Sequence, residues 1–125
     1  MEQKNSISPP LIIPNSEKEI PNFLKTLPKS PGVYKFLDQF NTILYIGKAK
    51  LLNQRIRSYF QASSKSKKIE KLIEEAEFIE LSITSTELES LLLEQFLIKE
   101  FKPKFNVQFK DDKGYPWIKI DKYKK

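Results

Sequence analysis

The hydrophobic residues of this chain change their period along its length, and the changes mark its elements. Val33-Tyr34-Lys35-Phe36-Leu37 and Thr42-Ile43-Leu44-Tyr45-Ile46-Gly47 are short runs rich in β-branched and aromatic residues. Between them Asp38-Gln39-Phe40-Asn41 supplies turn chemistry, so the pair predicts an antiparallel hairpin. From Leu51 the interval lengthens: Leu52, Ile56, Tyr59 and Phe60 recur at helical spacing. Ser63-Ser64-Lys65-Ser66 predicts a loop, residues 67–76 a charged helix, and the partial alternation over residues 78–84 a third strand. Thr86-x-x-Glu89 is a capping box that opens a helix running to about Phe101, closed by Pro103. A short helix begins near Pro21 and ends at Pro28, and Ser30-Pro31-Gly32 is a turn. Asn106 to Lys110 and Trp117 to Ile120 read as short terminal strands. Residues 1–20, with Pro9, Pro10 and Pro14 among polar residues, read as a tail without packed structure of its own. The order predicts an α+β sandwich over residues 21–125, a small, mainly antiparallel three-stranded sheet flanked by helices.

Within the helix after Thr86, six of the eight residues Leu91 to Ile98 are apolar, which predicts a central, buried helix. Glu94 sits in its middle, with Leu91, Ile98 and Phe101 on the same face. A carboxylate in such surroundings needs compensation. Two readings stand open: a structural ion pair with Lys or Arg, or a metal ligand or general base.

Composition narrows the chemistry. The 125 residues suit one domain and no run is long enough to span a membrane. The chain has no Cys and no His, which excludes disulfides, thiol nucleophiles, His-based triads and zinc fingers. Any bound metal is therefore a hard cation with oxygen ligands, and any general base is Tyr, Lys, Asp or Glu. No signal peptide is legible at the N-terminus, which reads as cytoplasmic. Net charge is +6, distributed in blocks. Residues 48–73 hold eight Lys and Arg against one Glu, residues 74–100 eight Glu against one Lys, and residues 101–125 eight Lys against three Asp. Two basic blocks around an acidic one suit a polyanion partner, most often nucleic acid, although lysines also serve simply to keep a small domain soluble.

Tyr34 and Tyr45 lie on the paired strands, Lys48 follows Tyr45 by three residues, and Arg55 and Tyr59 are i and i+4 on one helix. Taken singly these are ordinary strand formers and a solvated helix residue. Together they predict phenols and cations converging at one edge of the sheet, where the positive charges would favour phenolate over a phenol of pKa near 10.

Pro31-Gly32-Val33-Tyr34 followed by Tyr45-Ile46-Gly47-Lys48 resembles the paired signature of the GIY-YIG nucleases. The resemblance continues through Arg55-Ile56-Arg57-Ser58-Tyr59, Leu91-Leu92-Leu93-Glu94, Lys102-Pro103-Lys104-Phe105-Asn106 and Asp111-Asp112-Lys113-Gly114-Tyr115-Pro116, over about residues 22–120. It is closest to the UvrC-type branch, the N-terminal nuclease domain of the bacterial excision-repair incision subunit. The resemblance implies a metal-dependent endonuclease hydrolysing a phosphodiester on one DNA strand, the incision on the 3' side in nucleotide excision repair. It implies Tyr45 and Tyr34 as the tyrosines that activate water, without deciding between them, and Lys48 and Arg55 as cations around the scissile phosphate. It implies Glu94 as ligand of one divalent metal, Mg²⁺ or Mn²⁺, and Tyr59 and Asn106 as further active-site residues. Gly32 and Gly47 are the motif glycines, and Gly47 is expected to let backbone approach the site without a Cβ. Lys50, Arg57, Lys65, Lys67 and Lys68 are candidate DNA contacts from the basic block. The lack of His fits the UvrC-type arrangement. Damaged duplex DNA is the expected partner, with a UvrB-type repair protein beside it, although the segment that usually contacts that protein is not among these residues. Two other readings are a catalytically weak DNA-binding module and a nuclease of mobile elements.

Overall fold

The structure, a computed structural model, describes residues 6–7, 9–61 and 66–107. The elements in chain order are β1 (Ser6–Ile7), β2 (Leu11–Ile12), a 3₁₀ turn (Glu17–Glu19), α1 (Ile20–Lys25), β3 (Gly32–Leu37) and β4 (Ile43–Ala49). They are followed by α2 (Leu52–Tyr59), α3 (Lys67–Glu75), β5 (Phe78–Ile83) and α4 (Glu87–Phe101). A last helical turn covers residues 104–107. None of the described helices is long and apolar enough to cross a membrane.

The hairpin forms as its turn chemistry requires. Asp38 Oδ1 accepts the backbone N–H groups of Phe40 and Thr42 at 2.8 and 2.9 Å. Asn41 takes a left-handed backbone, φ 66°, a conformation that asparagine tolerates. The ladder shifts between Phe36 and Leu37, leaving Leu44 as the additional residue of β4. β5 pairs antiparallel with the other side of β3, so the predicted three-stranded antiparallel sheet is present as β5-β3-β4. The expected strand at residues 106–110 does not form at its start, because residues 104–107 are helical. Residues 117–120 and Lys65 lie outside the described residues.

The N-terminal arm differs from the expected unpacked tail. β1 pairs with Ser82 and Ile83, and β2 with Phe78 and Ile79, both antiparallel along the outer side of β5. Pro9 and Pro10 stand between the two pairings and have no N–H to give to a ladder, so the extra strand comes in two pieces. Ile13 continues it with an N–H bond to Glu77 O at 3.0 Å and buries its side chain in the core. The prolines and polar residues on which the tail reading rests do not prevent pairing, because the free edge of β5 gives the arm's backbone groups partners.

The two faces of the sheet are covered differently. Tyr34, Phe36, Tyr45, Ile79 and Leu81 share one face by strand parity, and this face carries the main core with Leu24, Leu52, Ile56, Tyr59 and Leu72. Lys35 points from the opposite face. It pairs with Glu80 at 3.1 Å, and its ammonium lies 5.9 Å from the centre of the Phe101 ring on α4. α4 packs against β3 and β4. Its predicted central burial does not hold: Ser90 is its one buried residue, whereas Leu88, Leu92, Phe96 and Phe101 are more than half exposed. Apolar residues on all sides of a helix signal burial only when layers enclose it on both sides. Among the described elements, α4 has the sheet on one side alone.

Pro31-Gly32 is held from three directions. The first amides of α2, Leu52 and Asn53, donate to Ser30 O and Pro28 O at 2.9 and 3.0 Å, and Thr84 N–H donates to Pro31 O at 3.0 Å. The bonds from Leu52 and Asn53 satisfy helix donors that lack a side-chain cap. A Cβ on Gly32 would come within 2.5 Å of Ser82 O and 2.7 Å of Leu52 Cδ1.

If the arm is part of the core, neighbouring isoleucines must respond unequally. Ile13, 7% exposed, is expected to cost about 2 kcal/mol or more as Ile13→Ala. Ile12, 71% exposed, is expected to change stability by about 0.5 kcal/mol or less as Ile12→Ala. Urea unfolding of both variants checks this; equal effects would contradict it.

Candidate active site

The hairpin and α2 bring three phenols together. Tyr34 and Tyr59 share a hydrogen bond of 2.6 Å between their hydroxyls. The ring centroids of Tyr34, Tyr45 and Tyr59 are 5.7 to 6.4 Å apart, and Phe36 packs edge-on against both Tyr34 and Tyr59. Tyr34 and Tyr59 are buried, while Tyr45, on the edge strand, is half-buried. Gly47 faces Tyr34 across the ladder. A Cβ on Gly47 would lie 2.4 Å from Cζ and Oη of Tyr34. The space that its missing side chain frees is therefore filled by the Tyr34 ring, not left open for approaching backbone.

The electrostatics run against the expectation of a phenolate. Burial pushes all three hydroxyls well above the ordinary phenol pKa, and charge repulsion from a neighbouring phenol adds to this, against a lowering of Tyr34 by its hydrogen bond with Tyr59 and of Tyr59 by its hydrogen bond with Tyr45. Arg55 pulls in the other direction but more weakly. Taking an anion out of water outweighs the attraction of one half-solvated guanidinium. The three tyrosines are thus neutral, able both to donate and to accept. Arg55 in turn is raised above its usual value, with Tyr34 the largest cause.

The cations lie beside this cluster. Lys48, Lys50, Gln54, Arg55, Ser58 and Glu87 line one open cleft of about 410 Å³, between the end of β4, the exposed side of α2 and the first turn of α4. Gln54 and Ser58 escaped the sequence reading, although their i, i+4 spacing beside Arg55 is the signal that could have found them. Arg57, Lys67 and Lys68 are not in this cleft's lining. Glu94 is half-buried on the sheet-facing side of α4, one turn after buried Ser90. Its Oε1 accepts a hydrogen bond from Gln95 at 3.0 Å. The ion pairs among the described residues are Lys35–Glu80 and Lys104–Glu75, so the structural-pair reading of Glu94 does not hold there. Its charge raises the pKa of both Tyr34 and Tyr45, so acid and phenols sense one another. Asn106 does something different from touching the cluster. Its side-chain amide accepts Ile46 N–H and donates to Ile46 C=O, each at 2.9 Å. It acts as a one-residue strand partner on the free side of β4, at the residue between Tyr45 and Gly47.

Residues 30–107 match the family model of the UvrC-like GIY-YIG domain. The chain belongs to the UvrC-like GIY-YIG family. Over 98 residues it is 51% identical to UvrABC system protein C of Carboxydothermus hydrogenoformans, and over 102 residues 45% identical to that of Neisseria gonorrhoeae. These alignments cover 78% and 82% of this chain but 16% of each relative, so the chain spans about a sixth of their length. Among solved structures it is similar to the GIY-YIG N-terminal endonuclease domain of UvrC from Thermotoga maritima bound to its catalytic divalent cation, magnesium. The TM-score is 0.63 at 36% identity, covering 72% of this chain and 98% of that one. Variants of that domain with one Asn replaced by Ala, or one Tyr by Phe, are also bound to the divalent cation.

Within this GIY-YIG domain the donor set suits a hard cation. Glu94 offers a carboxylate with no basic partner among the described residues, within electrostatic range of the Tyr34 and Tyr45 hydroxyls. No group of three or more His, Cys, Asp or Glu that could hold a metal is found among the described residues. The fit is therefore to a cation such as Mg²⁺ that keeps most of its water and accepts one carboxylate.

The contact at Gly47 makes a specific demand. Gly47→Ala is expected to destabilise the fold by about 1–3 kcal/mol through overpacking against Tyr34. The same change in a Tyr34→Leu background should cost less, because the ring atoms it strikes are gone. A double-mutant cycle by chemical denaturation reads the coupling, and additivity would contradict this packing.

Proposed function

We propose that the domain hydrolyses a phosphodiester on one strand of DNA with the help of one divalent metal, making the 3'-side cut of nucleotide excision repair. The observation that carries this reading is a carboxylate that has no cationic partner among the described residues and whose charge acts on a cluster of neutral phenols, with Lys48 and Arg55 lining one cleft. The UvrABC membership of its relatives supports the repair setting, in which damaged duplex is the substrate and a UvrB-type protein the partner.

Each residue then has a task fitted to its place. Arg55 grips the scissile phosphate, two oxygens at once, and Lys48 adds a point charge from the other wall. Both oppose the negative charge that grows on the phosphate oxygens. Tyr45 is the phenol with an open side, so it is the one that reaches an attacking water, while Tyr34 and Tyr59 hold it from within. It starts as a neutral phenol. It orients the attacking water by accepting a hydrogen bond from it while its own O–H is held by the Tyr59 hydroxyl, and the proton released from the water leaves to solvent at the open side of the cluster. Glu94 is the residue that would hold Mg²⁺ or Mn²⁺, which when bound supplies Lewis-acid stabilisation of the leaving oxygen. Asn106 is a positioning residue, fixing the strand that carries Tyr45. The exposed Lys50, Arg57 and Lys67, with the more shielded Lys68, extend positive charge for the DNA backbone, whose binding should weaken steeply with salt.

The test is nicking of supercoiled plasmid in Mg²⁺ or Mn²⁺. Glu94→Gln and Tyr45→Phe are each expected to lower the rate by about a hundredfold or more while leaving salt-sensitive DNA binding in place. Wild-type rates in both variants would refute the assignment, and binding without cleavage by the wild type under every metal tried would favour a DNA-binding module.

A further inference from the structure

A second cleft, built from the N-terminal arm, α1 and α3, takes no part in the chemistry of the active site. Ile13, Leu24 and Ala76 form its buried floor, and Ile20, Phe60 and Ile73 add half-buried apolar surface packed on the core. Its rim carries Glu17, Glu74 and Glu77, all exposed. The volume is about 620 Å³, inside the range of roughly 300–1,000 Å³ common to ligand-binding clefts. None of its lining residues lines the cleft of Lys48 and Arg55. Pro14 also borders a second hollow of about 390 Å³, which holds Phe23 and Glu19 in its lining. Phe23 and Phe60, one from each hollow, meet edge-on with ring centroids 6.4 Å apart.

The charges here are one-sided. Glu17, Glu19, Glu74 and Glu77 line the two hollows and no Lys or Arg does, in a chain of net charge +6. Lys18, Lys25, Lys67, Lys68 and Lys71 lie on the same elements but in neither lining. The ion pairs among the described residues take none of these four carboxylates; on α3 it is Glu75 that Lys104 engages. Such a rim repels a phosphate backbone, so the cleft is no extension of the DNA-binding surface.

We infer that this cleft is the docking site for an extended, basic segment of a partner protein. A large apolar side chain of that segment sits on the floor, and Lys or Arg on either side of it meet Glu17, Glu74 and Glu77. An apolar centre inside a polar rim is the anatomy of a protein–protein contact. Two hollows that share a wall at Pro14 suit an extended chain better than a compact small molecule. The floor supplies most of the affinity, because exposed ion pairs contribute little. The rim supplies the choice of partner, favouring a basic segment and turning away acidic ones. A partner held here leaves the cleft of Lys48 and Arg55 open to DNA.

The experiment titrates the full chain, labelled with nitrogen-15, with a short synthetic peptide that alternates Lys and Leu, and with its counterpart carrying Ser for every Leu. The Leu peptide is expected to shift the amide signals of Ser16, Glu17, Phe60, Glu74 and Glu77 and to leave those of Lys48 and Arg55 in place. The Ser peptide should bind about tenfold or more weakly, having no anchor for the floor. Glu74→Lys combined with Glu77→Lys should weaken the Leu peptide by about tenfold or more, with circular dichroism native and plasmid nicking unchanged. Should that pair unfold the protein, Glu17→Lys is read in the same way. Shifts that map to the acidic residues of α4, equal binding of the two peptides, or charge reversal without effect would each overturn the proposal, as would no binding of the Leu peptide at all. The titration contains neither DNA nor metal, so its outcome is independent of whether the domain proves to be a nuclease.

Discussion

The contact between the Tyr34 ring and the bare backbone of Gly47 is the constraint on which the rest of the site depends. The two residues face each other across the hairpin, and no side chain on Gly47 could share that space. With the ring seated there, its hydroxyl meets that of Tyr59 from α2 at 2.6 Å, and the three tyrosines close into one cluster. Helix and hairpin are thus locked together by the same atoms that shape the site. Asn106 adds a second lock from outside, occupying the hydrogen-bonding edge of β4 at Ile46. The strand that carries Tyr45 is held on both sides, by β3 and by an amide that mimics another strand. Such pre-organisation matters where a small displacement of a reacting group is costly.

Burying phenols has an electrostatic consequence that shapes the chemistry. The cluster favours protonated hydroxyls, because desolvation disfavours the anion more than Arg55 stabilises it. Neutral phenols orient water through hydrogen bonds. Arg55 and Lys48 share the cleft beside the cluster, and Glu94 acts on the same phenols from α4. Glu94 stays half-exposed because α4 lies on an outer flank of the sheet, which keeps the carboxylate accessible and solvated instead of sealed in an apolar core.

Much of this was legible in the sequence where local rules decide. Asp38 and Asn41 announce the hairpin turn, and the Thr86 and Glu89 pair announces α4: Thr86 Oγ1 accepts Glu89 N–H at 3.1 Å, and Glu89 Oε1 accepts Ser85 N–H at 2.9 Å. The spacing of Ile56 and Tyr59 placed α2 with the right side inward. What escaped depends on tertiary context. The arm's strand pairing needed the free edge of β5, which no local pattern in Leu11-Ile12-Ile13 reveals. The exposure of α4 needed knowledge of how many layers surround it. The reason for glycine at position 47 needed the cross-strand register. The sign of the phenol pKa shifts needed burial, since charge counting alone gives the opposite answer.

The central claim is that Tyr34, Tyr45 and Tyr59 form a buried cluster of neutral phenols. Carbon NMR of protein labelled at tyrosine Cζ, titrated without metal or DNA, tests it directly. The signals of these three tyrosines are expected to keep their neutral-phenol positions as pH passes the ordinary phenol value of about 10, and to move only as the protein unfolds. A resonance of any of the three titrating at or below that value in the folded protein would contradict the account.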